Sequence, residues 1–407
     1  MESAGTVLTM STKVENSIQL KQRNGSFTAL DFGPNQYFVY VLLIFYFIVP
    51  HHLFFQIFGI RELKPFDLVV PILGVFYLSK KINFRGLRPL LLLCVLYLLR
   101  SIFSLHDIGA VSIAYAIKLF EYFVVILCIK DLRPIYINRL LVWYAFFSVL
   151  FVILELAGVN LGLGWGGRMS GQFGGPYELS SIGLLFFLFF RKEITRRIVY
   201  LAVIISAGTK AAYIAILAAL VLRMKVVTVV PTIIFLAFLF TLSIIVNERF
   251  SIFFSNLALL FEVDLILRLW DSVPIIENHE QYLEAFSLRE TGLGQELDLS
   301  TGSRLITYLT IVKSFDIIVL LVGHGPGFFG AAVDSSLLRL LGEVGIMGLV
   351  LGYQIIKALM VDFASTRSAV FIVLAIIVLS DVFFSARFLP TLFLLNQYAY
   401  FKSLRDT

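Results

Sequence analysis

Three cations stand beside small or glycine-rich turns in segments far apart along the chain. Arg168 opens the run Arg168-Met-Ser-Gly171-Gln-Phe-Gly-Gly-Pro176-Tyr-Glu178-Leu-Ser180, and Lys210 closes Ser206-Ala-Gly-Thr-Lys210. Arg304 closes Ser300-Thr-Gly-Ser-Arg304, just ahead of an apolar-periodic stretch. A fourth feature is the turn Gly323-His324-Gly325-Pro326-Gly327, followed by Asp334-Ser-Ser-Leu-Leu-Arg339-Leu-Leu-Gly-Glu343-Val-Gly-Ile. Cations and exposed backbone N–H groups at a helix start attract an anion. Arg304 is expected in the first turn of its helix, where it opposes the helix dipole, and a phosphate contact would give it a reason. Each feature also has a plain structural reading: an interhelical turn, a snorkelling lysine, a solvated arginine or an exposed turn histidine. From these residues alone both readings stay open.

The chain contains no nucleotide-binding loop, no metal-ligand cluster and no Ser-His-Asp spacing. Its two cysteines, Cys94 and Cys128, lie inside apolar runs and offer neither a disulfide framework nor a zinc site. No metal and no cofactor is therefore expected. A reaction here would take its driving force from a donor that arrives already activated.

The elements that must position these residues are membrane spans. Of the 407 residues, 59% are hydrophobic and 15% charged, where a soluble chain carries about 25% charged. The apolar residues form long runs broken by short basic clusters, so the net charge of +6 reads as topology and not as a nucleic-acid surface. Apolar runs fall near 37–58, 65–79, 88–104, 109–129, 138–158, 177–190, 197–207, 211–222, 226–246, 340–361, 368–386 and 388–401. The expected fold is all-α, a polytopic integral membrane protein of about 12 transmembrane helices, with lipid bilayer as its surroundings. Residues 1–36 are polar and lack an apolar region near Met1, which reads as an uncleaved tail. Basic residues concentrate in the loops at 80–88, 130–139, 191–197 and 223–225, which places those loops and both termini in the cytoplasm.

The expected organisation is thus a cytoplasmic tail (1–36), helices 1–9 (37–246), a large outer loop (247–339), the C-terminal helices (340–402) and a short tail (403–407). The loop holds amphipathic candidates at Arg249–Trp270 and Arg304–Ile318. Among charges inside spans, Lys118 and Glu121 are spaced i, i+3 and read as a mutually neutralising pair. Glu155, Lys357 and Asp381 are also within spans, and Arg387 is an outer-loop cation.

The order of the motifs resembles the O-antigen polymerase (Wzy-type) and O-antigen ligase superfamily of bacterial envelope glycosyltransferases. The resemblance rests on Arg168…Gly171…Pro176-x-Glu178-Leu, the turn at Thr209-Lys210, and Ser303-Arg304-Leu305. It continues through Gly323-x-Gly325-x-Gly327 and Asp334-Ser335-x-Leu337…Glu343-x-Gly345-Ile346. It covers roughly residues 138–350, and the first spans match in hydropathy alone. The family's polar turn often ends in Ser-Arg where this chain has Thr-Lys, and its first-loop proline is often followed by Asn where Tyr177 stands here. Ligases typically carry His at the position of Asp334, which favours the polymerase.

The resemblance implies a metal-independent glycosyl transfer on the periplasmic face of the bacterial inner membrane. Donor and acceptor would both be undecaprenyl-diphosphate-linked glycans, and a separate co-polymerase would set chain length. Arg168 and Arg304 would hold the diphosphate with Lys210 as auxiliary, and Gly171, Gly323, Gly325 and His324 would line the substrate. Asp334 or Glu178 would be the base for the acceptor hydroxyl. A ligase acting on lipid A–core and a flippase or transporter of lipid-linked oligosaccharide are the alternatives. The long one-sided loop and the lack of a tandem repeat weigh against a transporter.

Overall fold

The computed structural model describes residues 34–53, 64–78, 86–159, 169–190, 193–207, 209, 263–287, 299–329, 335–360, 373–374, 376–378, 381 and 383–406. Helix is the only regular structure among them. In chain order the helices are α1 (Pro34–Ile48), α2 (Pro65–Leu78), α3 (Arg88–Phe103), α4 (Leu105–Ile108), α5 (Ala110–Lys130), α6 (Pro134–Leu156) and α7 (Pro176–Phe189). They continue with α8 (Ile194–Ala207), α9 (Val263–Ser272), α10 (His279–Ser287), α11 (Leu299–Lys313), α12 (Ile317–Val322), α13 (Ser336–Leu359) and α14 (Phe388–Asp406). Proline in the first turn opens α3, α6 and α7, where a missing N–H costs nothing.

Three of these helices, α5, α6 and α13, are long and apolar enough to cross a membrane. They pack as a bundle in which α5 meets α2, α3 and α14, α13 meets α3, and α6 meets α1, α8 and α14. The packed faces are rich in aromatic rings: Phe47 lies 4.8 Å from Tyr144, Tyr144 5.5 Å from Phe186, and Phe186 is stacked on Tyr200 at 5.0 Å. The opposite faces of α3 and α6 leave Leu99, Ile102, Phe103, Trp143 and Phe146 exposed. Ring pairs in these geometries add to what burial of the packed faces contributes.

Several expectations are revised. The amphipathic stretch Arg304–Ile318 is two helices. Its first, α11, begins five residues earlier at Leu299, so Ser300 to Ser303 lie inside the helix and Arg304 lies beyond the first turn. The second, α12, restarts because the Asp316 carboxylate accepts from Val319 N at 2.6 Å and caps it. The run 368–386 leaves the helix before Asp381. Lys118 and Glu121 feel each other's charge without closing a direct ion pair: Lys118 Nζ lies 5.6 Å over the Tyr115 ring, and Glu121 Oε2 is buried with no hydrogen-bond partner. The expected spans at 211–222 and 226–246, and the polar tail through residue 33, lie outside the described residues.

Candidate functional site

A set of buried polar and charged side chains links three stretches of non-helical backbone. These are 169–175, 323–329 and 381 with 383–387.

The glycine turn is built against α13. Gly323, Gly325 and Gly327 have φ of +70°, +119° and +82°, a region that side-chain-bearing residues avoid. Gly345, inside α13, also has φ +69° and breaks that helix. The break frees carbonyls that the turn then satisfies: His324 N donates to Gly342 O at 2.8 Å and Gly325 N to Glu343 O at 2.9 Å. Backbone meets backbone here. A Cβ on Gly323 would overlap Glu343, and one on Gly345 would overlap the Leu321 carbonyl. On the other side α3 closes in, with Ser104 Oγ donating to His324 O at 3.2 Å and Arg100 Nη2 to Gly323 O at 2.5 Å.

Beneath the turn lies a buried ionic network. Glu343, fully buried, accepts from Gly327 N at 3.0 Å, Tyr97 Oη at 3.0 Å and Arg339 Nε at 3.1 Å. Arg339 also pairs with Asp381 and stacks on Tyr115 and Phe384 at 4.5 and 4.9 Å. Buried charge persists only when paired and fully hydrogen-bonded, and this network meets both conditions.

Loop 170–175 is held in the same manner. Glu155 accepts from Ser170 N at 2.8 Å and Gly171 N at 2.6 Å. Glu178 accepts from Gly174 N at 2.8 Å, Ser385 Oγ at 2.6 Å and Arg387 N at 3.1 Å. The glycine turn is therefore pinned by one glutamate and the 170–175 loop by two, all from flanking helices. Arg387, expected as an exposed loop cation, is 1% exposed. Its guanidinium donates to Tyr46 O at 3.1 Å, Gln172 O at 2.5 Å and Val49 O at 2.5 Å. Asp381 serves the glycine-turn network while Ser385 and Arg387 serve the 170–175 loop, so this one segment links the two.

No family model matches the chain, and no curated protein sequence does.

Of the residues singled out from sequence, Gly171 and Glu178 belong to the network of the 170–175 loop and Gly323, His324 and Gly325 to that of the glycine turn. Arg304 sits on α11, which packs against α9, α10 and α13. Arg168, Lys210 and Asp334 lie outside the described residues. Arg100 went unmarked in the sequence because it falls within an apolar run, although a charge in such a run is itself the signal. Arg339 and Glu343 were legible as an i, i+4 pair of opposite sign within a motif.

His324 is the described titratable group of the turn that remains outside any ion pair. Its Nε2 lies 3.3 Å from Ser314 Oγ, and its ring stacks 4.3 Å from Phe328. Burial lowers its pKa to about 4, opposed by Asp316 and assisted by the Arg100 charge. The imidazole is consequently neutral near pH 7. Among the described residues no group of three His, Cys, Asp or Glu side chains is disposed to hold a metal ion. The arrangement can present the partly exposed Arg100, a neutral imidazole and rigid glycine backbone to an anionic ligand.

Proposed function

We propose that this chain is a membrane glycosyltransferase that polymerises undecaprenyl-diphosphate-linked repeat units, with the linked segments facing the periplasm. The carrying observation is the linkage of three non-helical backbone segments by buried charged side chains within an otherwise apolar bundle. Irregular backbone at membrane depth is tolerated where it is buried in protein or lines a wet cavity. The reading takes the chain as about twelve spans with cytoplasmic termini and a periplasmic loop over 247–339.

In this reaction the acceptor hydroxyl attacks the anomeric carbon of the donor glycan. The new glycosidic C–O bond forms as the bond to the diphosphate breaks, and undecaprenyl diphosphate leaves. Arg168 and Arg304, with Lys210, offset the charge that develops on the departing diphosphate, an effect worth a few kcal/mol per well-aimed donor. Asp334 takes the hydroxyl proton. Glu178, whose two oxygens already accept from three donors, holds its loop in place.

The test is a gel of surface lipopolysaccharide from a strain lacking the gene, complemented with wild type or Arg304→Ala at equal membrane abundance. Core bearing a single repeat in the deletion, with a ladder restored by wild type alone, is the expected result. Bare core with polymer accumulating in the periplasm would replace this reading with a ligase, and repeats trapped in the cytoplasm with a flippase. An unchanged ladder would sink the O-antigen assignment.

A further inference from the structure

The surface beside the glycine turn is apolar in an unusual way. All six residues of α12 are aliphatic (Ile-Ile-Val-Leu-Leu-Val), and the helix is only about 9 Å long, far short of a span. It rests its backbone directly on Gly345 of α13, where a Cβ would overlap Leu321 O and stand 2.6 Å from Val322 N. Because backbone makes this contact, the side chains project away from the bundle: Ile317 is 78% exposed, Ile318 68% and Leu321 52%. Ile102 and Phe103 on α3 and Met347 on α13 are exposed as well. An exposed aliphatic face of this kind marks contact with a lipid or a partner.

A cation stands at the end of that face. Three arginines, Arg100, Arg339 and Arg387, meet the glycine segments. The guanidinium of Arg339 is filled by Glu343 and Asp381, and that of Arg387 by three carbonyls. Arg100 is different. It spends one donor on Gly323 O, immediately after α12, while its Nε is buried without a partner, and the side chain stays partly exposed. A guanidinium has five N–H donors in a fork that suits phosphate oxygens. Arg100 thus retains donors that no described residue takes, beside an aliphatic face that no described residue covers.

We infer that Arg100 and the exposed face of α12 bind a phosphate-bearing lipid, the phosphate on the guanidinium and the chain along Ile317, Ile318 and Leu321. Charge complementarity selects the head, and the wholly aliphatic, exposed face of α12 selects the apolar tail. The site rests on the proposed function only for taking that lipid to be the polyprenyl substrate. It delivers the diphosphate to the height of the glycine turn and His324.

The test uses the full chain in nanodiscs of neutral phosphatidylcholine, with binding followed by native mass spectrometry. The probes are a C55 polyprenyl diphosphate, phosphatidylglycerol and inorganic pyrophosphate. Arg100→Gln is expected to weaken the polyprenyl diphosphate about tenfold or more, as the loss of a charged hydrogen-bond donor implies, and Arg100→Lys less. Ile318→Asn, at an exposed position, is expected to weaken both lipids and leave pyrophosphate unchanged. Equal binding by Arg100→Gln, with unfolding as cooperative as wild type, overturns the inference. Pyrophosphate binding as tightly as the lipids, with no effect of Ile318→Asn, also overturns it by making the site one for free phosphate. Tight phosphatidylglycerol binding with the same variant pattern supports the lipid site and detaches it from the substrate. None of these outcomes alters the glycan ladder, which tests the proposed function separately.

Discussion

Replacing Glu343 with alanine is expected to be the most damaging single change at the glycine turn. The carboxylate is fully buried and accepts from Gly327 N, Tyr97 Oη and Arg339 Nε at 3.0 to 3.1 Å. Its loss orphans two buried donors and leaves Arg339 paired with Asp381 alone. Breaking a buried pair by removing one partner costs about 3–5 kcal/mol, and the surviving Asp381 pair holds the expectation near about 3 kcal/mol. Glu193→Ala is the control: its pair with Arg196 is an i, i+3 surface bridge with side chains 48% and 57% exposed, worth about 0.5 kcal/mol or less. Both variants are unfolded by SDS titration in mixed micelles, followed by tryptophan fluorescence. The double variant Arg339→Met/Glu343→Met should be less destabilised than Glu343→Ala, because apolar replacement removes both charges together. A Glu343→Ala protein as stable as the Glu193→Ala control would refute the argument that this network holds the turn.

Other expectations follow from the same geometry. Arg387→Lys keeps the charge, but one ammonium cannot serve three separate carbonyls, so the titration should show a loss of about 1–3 kcal/mol. Gly325→Ala should destabilise the turn, since φ is +119° and the new Cβ would collide with Ser104. Adding Ser104→Gly should recover part of that loss, and a purely additive double-mutant cycle would contradict the contact. His324 is neutral in the folded chain down to pH about 4, whereas an unfolded histidine titrates near 6.5. The unfolded chain therefore binds more protons across that window, and stability should fall as pH drops from 6.5 to 4. Unfolding titrations of His324→Asn should show a shallower dependence over the same range, and an unchanged one would contradict the assignment.

Much of the helical framework is readable from apolar runs, because period and length decide it before any tertiary contact does. The runs at 88–104, 109–129, 138–158 and 340–361 become α3, α5, α6 and α13 with ends displaced by a few residues. The break between α11 and α12 is harder to see. Periodicity carries on through Ser314, and only the capping carboxylate of Asp316 marks the restart. The polar architecture is legible where both partners are side chains at helical spacing, as with Arg339 and Glu343. It is silent where the acceptors are carbonyls. Every residue has one, so nothing in the letters Arg387-Phe-Leu-Pro distinguishes a loop cation from a clasp on Tyr46, Val49 and Gln172. Lys118 and Glu121 show the converse, since spacing that permits a pair does not ensure that the side chains meet.

The clasp has a consequence for how the protein is made. Tyr46, Val49 and Gln172 leave the ribosome long before Arg387, and Glu178 long before Ser385. Until that late segment arrives, the carbonyls and the carboxylate around the 170–175 loop lack the donors that eventually fill them. A nascent chain that ends before this segment thus carries unmet polar groups within an apolar bundle, and the last helix to be made completes the first loop.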